Sequence, residues 1–268
     1  MTTRSLLFVP GSRPERFAKA LAAGADAVCI DLEDAVPPDG KDPARAAVLA
    51  FLQTAERSVG VRVNGVASPH FEADCRALAG AGPLAFVMIP KADRPEHLAH
   101  VRKLLGELAP PLWPVVETAE GLRNAWDIAG ADGVQGVLFG GADFAAEIGT
   151  DLSWEALLYA RGRLVAAAAR AGVELLDVPG LDVRDAEGLE ASTRRAKAIG
   201  FTGRACIHPD QVATVNAVFA PSAGELAHAR RVLDAFDAAK GAAALLDGKL
   251  IELPVVRAAR RILERAKA

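Results

Sequence analysis

Glu117 and Asp143 stand 26 residues apart, each near the end of a short apolar run, Leu112–Thr118 and Gly136–Phe144. Other apolar runs finish on polar groups too. Asp31-Leu32-Glu33-Asp34 closes one, Arg62 and Asn64 sit in Val59–Gly65, and Lys91, Asp177 and His208 lie near the ends of three more. Carboxylates on neighbouring strands would stand about 5 Å apart. Such a pair repels, and one member takes up a proton unless a cation lies between them. The cation that suits two carboxylates, waters and ligand oxygens is Mg²⁺. The structural alternative is that Asp143 caps a turn over 144–148 and Glu117 caps a helix beginning near Glu120.

Arg62 lies inside the apolar stretch Val61-Arg62-Val63-Asn64-Gly65. Its guanidinium fork can hold a ligand carboxylate through paired hydrogen bonds, or be satisfied internally by Glu33 or Asp34. Glu33 and Asp34 could orient metal-bound waters, or be solvated loop charges. His208 precedes Pro209 and is expected to be structural rather than catalytic. Lys91 is a weak candidate for a Schiff base. His70, His97, His100 and His228 fall on expected helices with no evident partner and take no role.

These residues need a scaffold that gathers strand ends. Eight runs rich in Val, Ile, Leu and Phe, at 6–10, 27–34, 59–65, 84–91, 112–118, 136–144, 173–179 and 203–209, are each expected to be one buried parallel strand. They recur about every 28 residues, close to one strand–helix–strand unit. Between them, 14–24 begins with Pro and ends with Gly, and 153–172 begins with Ser and ends with Gly, as helices do. Arg94–Leu108 spaces Leu98, Val101, Leu104, Leu105 and Leu108 three and four apart. Strands alternating with helices predict a closed (β/α)8 TIM barrel over residues 1–221, with an open doubly wound sheet as the alternative. In such a barrel the chemistry sits at the C-terminal ends of the strands. Residues 222–268 are expected to form a C-terminal helical extension: an amphipathic helix over 222–240, a turn at Asp247-Gly248 and a basic helix Pro254–Lys267. It would close the barrel mouth or dock on a neighbouring subunit.

Composition narrows the class. Hydrophobic residues at 51% and charged residues at 24% describe a globular chain. A net charge of −3 gives no electrostatic footprint for nucleic acid. No run approaches the roughly 20 apolar residues of a membrane span, and the apolar part of 1–12 is too short for a signal peptide. Three cysteines (Cys29, Cys75 and Cys206) without metal-type spacing are expected to be buried free thiols in a reducing compartment. A cytoplasmic enzyme is the expectation.

Several blocks taken together resemble one family. Arg4-Ser5-Leu6-Leu7-Phe8-Val9-Pro10-Gly11 and Ile30-Asp31-Leu32-Glu33-Asp34-Ala35-Val36 are followed by Val61-Arg62-Val63-Asn64-Gly65 and Pro90-Lys91. Glu117-Thr118-Ala119-Glu120-Gly121, Gly141-Ala142-Asp143-Phe144 and Cys206-Ile207-His208-Pro209-Asp210-Gln211 complete the set. In this order, over nearly the full chain, they are similar to the citrate lyase β-subunit-like enzymes. That group of the HpcH/HpaI aldolase superfamily includes citryl-CoA, malyl-CoA and citramalyl-CoA lyases.

The resemblance implies a (β/α)8 barrel, Mg²⁺, an acyl-CoA substrate and a keto-acid product. It implies Glu117 and Asp143 as the metal ligands and Arg62 as the residue holding the keto-acid portion. Glu33 and Asp34 fall where the family keeps acidic groups near the metal waters. Arg13 and Lys19, with Phe8 nearby, match positions that contact the CoA nucleotide, and their alternative is as solvated helix charges. The family also lends an acidic residue from the C-terminal extension to a neighbour's barrel, which implies a homo-oligomer, a trimer. Here that stretch is Gly248-Lys249-Leu250-Ile251-Glu252-Leu253-Pro254, with Glu252 where the family has Asp. One extra methylene at a catalytic group changes its reach, and a misplacement near 1 Å costs on the order of 10²-fold in rate. Arg204 likewise stands where the family has Lys. The expected reaction is cleavage of a carbon–carbon bond in a carboxylate-bearing 3-hydroxyacyl-CoA. Thioester hydrolysis, a CoA-independent aldolase and a subunit active only within a larger lyase complex are the alternatives.

Overall fold

The computed structural model describes residues 3–55, 57–82 and 84–266. Eight parallel strands close on themselves: β1 (Ser5–Pro10), β2 (Ala27–Asp31), β3 (Val59–Arg62), β4 (Leu84–Ile89), β5 (Leu112–Val116), β6 (Gly136–Phe139), β7 (Glu174–Asp177) and β8 (Gly203–Cys206). Closure is made by β1 on β8, with Ser5, Leu6 and Leu7 opposite Arg204, Ala205 and Cys206. Helices follow the strands, so the structure is a (β/α)8 barrel and the open sheet is excluded.

Side chains alternate in and out along each strand. The inward set packs as one core: Leu6, Cys29, Phe86, Met88, Trp113, Val115, Leu138, Leu176 and Ala205. Phe86 and Trp113 stack with their rings 4.9 Å apart. Room for that stack comes from Gly60 and Gly136, since a methyl on Gly60 would strike Phe86 and one on Gly136 would strike Trp113. The three cysteines are buried and free. Burial pushes the thiols of Cys75 and Cys206 up to about 12.

All strands but β1 stop short of their apolar runs. In β2 the cause is local. The Asp31 carboxylate accepts hydrogen bonds from the backbone N–H of Glu33 (2.8 Å) and Ala35 (3.0 Å), which diverts those donors from the sheet. In β6 the chain turns at Gly140 directly into the helix Gly141–Ile148. The first expected helix is a 3₁₀ turn, Pro14–Arg16, followed by Phe17–Leu21. The helix Pro95–Leu105 buries Leu98, Val101 and Leu105, but Gly106 at φ 84° ends it, leaving Leu108 outside the stripe and 96% exposed. Trp154–Ala171 runs from Ser153 to a left-handed Gly172, as expected, except that the Ser153 side chain makes no capping bond.

Contacts divide the chain into two compact units, one of them Thr3–Asn216 and the other containing the chain from Ala217 onwards. The second has its own small core of Ala229, Val232, Phe236, Ile251, Val256 and Ala259. Its helix Ala223–Ala238 starts with a capping box between Ser222 and Glu225. A hairpin of β9 (Ala244–Leu246) and β10 (Lys249–Ile251) turns through Asp247 and Gly248, both at positive φ, as a two-residue hairpin turn requires. The last helix is Leu253–Arg265, and Lys267, expected at its end, lies outside the described residues.

Candidate active site

The alternation that builds the barrel core also builds its mouth. Two residues beyond Leu6 comes Phe8, beyond Cys29 comes Asp31, and beyond Gly60 comes Arg62. Beyond Val115 comes Glu117, beyond Leu138 comes Gly140, and beyond Ala205 comes Ile207. All six successors line one cavity of about 420 Å³, together with Asp34 and Asp143. Phe139, Val178 and Leu181 add an apolar wall.

Arg62 is held from several sides. Its Nε and Nη2 donate to the two oxygens of Asp31, both at 2.7 Å, and the two residues are register partners on adjacent strands. Glu33 Oε2 lies 3.0 Å from Nη1 and Asp34 at 3.8 Å, while the guanidinium sits 5.1 Å above the Phe8 ring. Burial disfavours a charged guanidinium, but the Asp31 hydrogen bonds and the charges of Asp31, Glu33 and Asp34 together outweigh it and raise the Arg62 pKa. Internal pairing is thus present, chiefly through Asp31, a residue to which the sequence patterns give no role. The signal was there: an acid and an arginine at the ends of consecutive strands.

Glu33 is buried and not a solvated loop charge, whereas Asp34 has a 60% exposed side chain. Lys41 reaches under the loop and donates to the carbonyls of Leu32 (2.8 Å) and Glu33 (2.7 Å). The angles of the Arg62 contact leave Glu33 Oε2 buried without a hydrogen-bond donor. Burial pushes the Glu33 pKa up to about 7, with Arg62 lowering it and Asp34 and Asp31 raising it.

Glu117 is 4% exposed. Its Oε1 accepts from the Lys91 backbone N–H at 2.7 Å. Lys91 presents that N–H from a left-handed backbone, φ 48°. A side chain on Gly140 would collide with the Glu117 carboxylate, so the glycine keeps space beside it. Burial first, then the charges of Glu33 and Asp143, push the Glu117 pKa up to about 8. Glu117 does not cap the next helix. Thr118 does, accepting from the Gly121 N–H at 2.9 Å and donating to Asp93. Asp143 lies in the first turn of Gly141–Ile148, whose N-cap is Gly140.

The remaining candidates are placed as follows. Lys91 Nζ is 3.6 Å from Glu33 Oε1. Burial lowers its pKa, but Glu33, Glu117, Asp34 and Asp143 together raise it, the opposite of what a Schiff-base amine needs. Arg13 is exposed at 3.3 Å from Glu15, Lys19 is exposed on Phe17–Leu21, and neither lines the cavity. His208 is 47% exposed, and its Nδ1 accepts from the Asp210 N–H. Glu252 is an exposed residue of the second unit, at the N-cap of its last helix. His70 and His100 do have neighbours, Asp42 at 3.9 Å and Glu72 at 3.8 Å.

The donor chemistry of the mouth suits Mg²⁺. Five carboxylates (Asp31, Glu33, Asp34, Glu117 and Asp143) face two basic side chains, Arg62 and Lys91. Among the described residues no group of three His, Cys, Asp or Glu converges as a ready-made cage. Mg²⁺ does not need one, since it is held by one or two carboxylates while keeping waters and substrate oxygens.

A parallel barrel with an acidic, arginine-bearing mouth defines a class of TIM-barrel enzymes, and sequence comparison narrows it. Residues 4–209 match the model of the HpcH/HpaI aldolase/citrate lyase family, and residues 165–268 match that of the C–C bond lyases of the TIM-barrel fold. The chain belongs to the HpcH/HpaI aldolase/citrate lyase family. It is 38% identical to a (3S)-malyl-CoA thioesterase of Cereibacter sphaeroides, over 99% of this chain and 95% of the relative. It is 39% identical to a citrate lyase subunit beta-like protein of Mycobacterium tuberculosis, over 97% of this chain and 94% of that one. The crystal structure of CitE from M. tuberculosis in complex with magnesium, acetoacetate and coenzyme A superposes with a TM-score of 0.87 at 34% identity, covering 100% of this chain and 99% of that one.

Proposed function

We propose that this protein is a Mg²⁺-dependent lyase that cleaves a carboxylate-bearing 3-hydroxyacyl-CoA into a keto acid and a shorter acyl-CoA. The observation that carries the proposal is the mouth itself: Glu117 and Asp143, neither in an ion pair among the described residues, beside an oriented Arg62. Relatives crystallised with magnesium, coenzyme A and small keto acids support it.

Glu117 and Asp143 would hold the ion. Bound there, Mg²⁺ supplies Lewis acidity that lowers the pKa of the substrate hydroxyl and stabilises developing negative charge. Arg62, kept in plane by Asp31, presents its outer face to the substrate carboxylate. Glu33, with its pKa near the working pH, accepts the hydroxyl proton. The hydroxyl carbon becomes the keto carbonyl as the carbon–carbon bond gives its electron pair to the thioester enolate. An acid then protonates the enolate carbon. Glu252 is the residue assigned to that step, on its position in the Gly248–Pro254 stretch, lent by a neighbouring subunit of a trimer. Asp34 orients water at the rim. Phe8, Arg13 and Lys19 are assigned to the nucleotide end of CoA, although Phe8 also packs beneath Arg62.

The test is to incubate the protein with Mg²⁺ and citryl-, malyl-, citramalyl- or hydroxymethylglutaryl-CoA and weigh the products. A keto acid together with acetyl- or propionyl-CoA is the expected result. Free CoA with the intact hydroxy acid would establish thioester hydrolysis instead. That second reading is favoured by one observation, the 38% identity to a malyl-CoA thioesterase.

A further inference from the structure

Alternation places Asp177 of β7 and Arg204 of β8 on the outside of the barrel, away from the mouth. There Arg204 meets a second cavity, of about 450 Å³, under the helices Trp154–Ala171 and Ala186–Ile199. Its lining has three charged side chains, Arg161, Arg195 and Arg204, and no carboxylate. Trp154 lies between two of the guanidiniums, Arg161 at 4.5 Å and Arg195 at 4.4 Å from its ring.

The three cations are matched unevenly. Arg161 is 4% exposed and pairs with Asp177 through Nε alone, at 3.1 Å. Its Nη1 is buried without a hydrogen-bond partner, as is Asp177 Oδ2. Arg204, also buried, bonds only neutral acceptors: the carbonyls of Val178 and Leu189 and the hydroxyls of Ser192 and Thr193. Burial lowers its pKa, with the nearby charge of Asp177 opposing the shift and that of Arg161 adding to it. Arg195 is half exposed and held by Glu155 at 3.1 Å. The buried Arg161 Nη1 needs an acceptor, and paired oxygens match a guanidinium fork.

We propose that this outer cavity is a second binding site, for a small dianionic oxyanion, either a phosphate group or a short dicarboxylate. Val178, Pro179 and Leu181 line both this cavity and the mouth, so a ligand here would brace a wall of the active site. The site is separate from Arg62 and does not depend on the reaction proposed above.

The full-length, Mg²⁺-loaded protein is titrated calorimetrically with inorganic phosphate and with succinate, against sodium chloride at matched ionic strength. Saturable binding of one or both is expected, and which of them binds identifies the source. Arg195→Gln should weaken that binding about tenfold, the worth of one charge-assisted hydrogen bond, with unchanged turnover. Glu155→Gln, which frees Arg195, should tighten it several-fold. A succinate signal that persists unchanged in Arg195→Gln would be the Arg62 mouth, and with no phosphate response it would overturn the proposal. So would binding no stronger than the chloride control.

Discussion

The two sides of the barrel mouth handle charge differently. On β2 and β3, Asp31 takes Arg62 in a two-bond embrace and turns its spare lone pairs to two backbone donors. A little further out, Asp74 similarly accepts from Asn64 and Arg45. On β5 and β6, Glu117 has one backbone donor and no bonded guanidinium, and its neighbours of like charge are Glu33 and Asp143. The Asp31–Arg62 pair is finished within the chain. The other side holds a carboxylate pair that makes no ion pair among the described residues, and under the proposed function a cation would complete it. A folded protein tolerates such a region because the rest of the barrel supports it.

The sharpest way to break the comparison is to remove the incomplete side. Glu117→Ala or Asp143→Ala should lower turnover by about 10²–10³-fold or more and abolish Mg²⁺ binding in a calorimetric titration. Undiminished turnover in either variant would remove the metal assignment. On the finished side, Asp31→Asn should destabilise the fold by about 3 kcal/mol in urea unfolding, since it leaves a buried arginine underpaired. Its KM should rise more than its kcat falls.

The contrast also predicts a pH effect of definite sign. Glu117 has its pKa raised to about 8. Below its ordinary value both folded and unfolded chains are protonated and nothing is lost. Above it the unfolded chain ionises while the folded one keeps its proton, so the metal-free protein should lose stability as pH rises from about 5 to about 8. In EDTA at pH 8, Glu117→Gln should therefore melt higher than the wild type, and Mg²⁺ should raise the wild type but not the variant. The smallest effect concerns Thr118, next to Glu117. Thr118→Ala removes a helix cap and should cost about 1 kcal/mol by thermal melting, with Mg²⁺ binding preserved.

Much of this contrast was legible in the sequence, because strand alternation needs only the apolar runs. The barrel, its period and the ends of its strands all follow from hydrophobic blocks with Gly, Pro and Asp at their borders. Glu117, Arg62 and Asp31 reach the mouth by the same parity. What the sequence concealed is which acid owns which base. Asp31 is one of three acids in Asp31-Leu32-Glu33-Asp34, and only the register of β2 against β3 brings it opposite Arg62. Strand ends were overestimated because hydropathy does not register a carboxylate capturing backbone donors, as at Asp31, nor a diglycine passing straight into a helix, as at Gly140-Gly141. Leu108 kept the helical period but lay beyond Gly106, where the backbone had already turned away. The outer arginine cavity was hidden for a similar reason: Arg161, Arg195 and Arg204 come from three separate elements.

The Phe86–Trp113 stack, seated on two glycines, works as a stopper. With aromatic rings packed in the core of the cylinder, the mouth is the side from which a ligand would reach the strand ends. Under the proposed function, substrate, ion and both products would share the mouth as their doorway. Each turnover would then have to empty that doorway before the next could begin, which would give the rim loops a hold on traffic as well as on choice of guest.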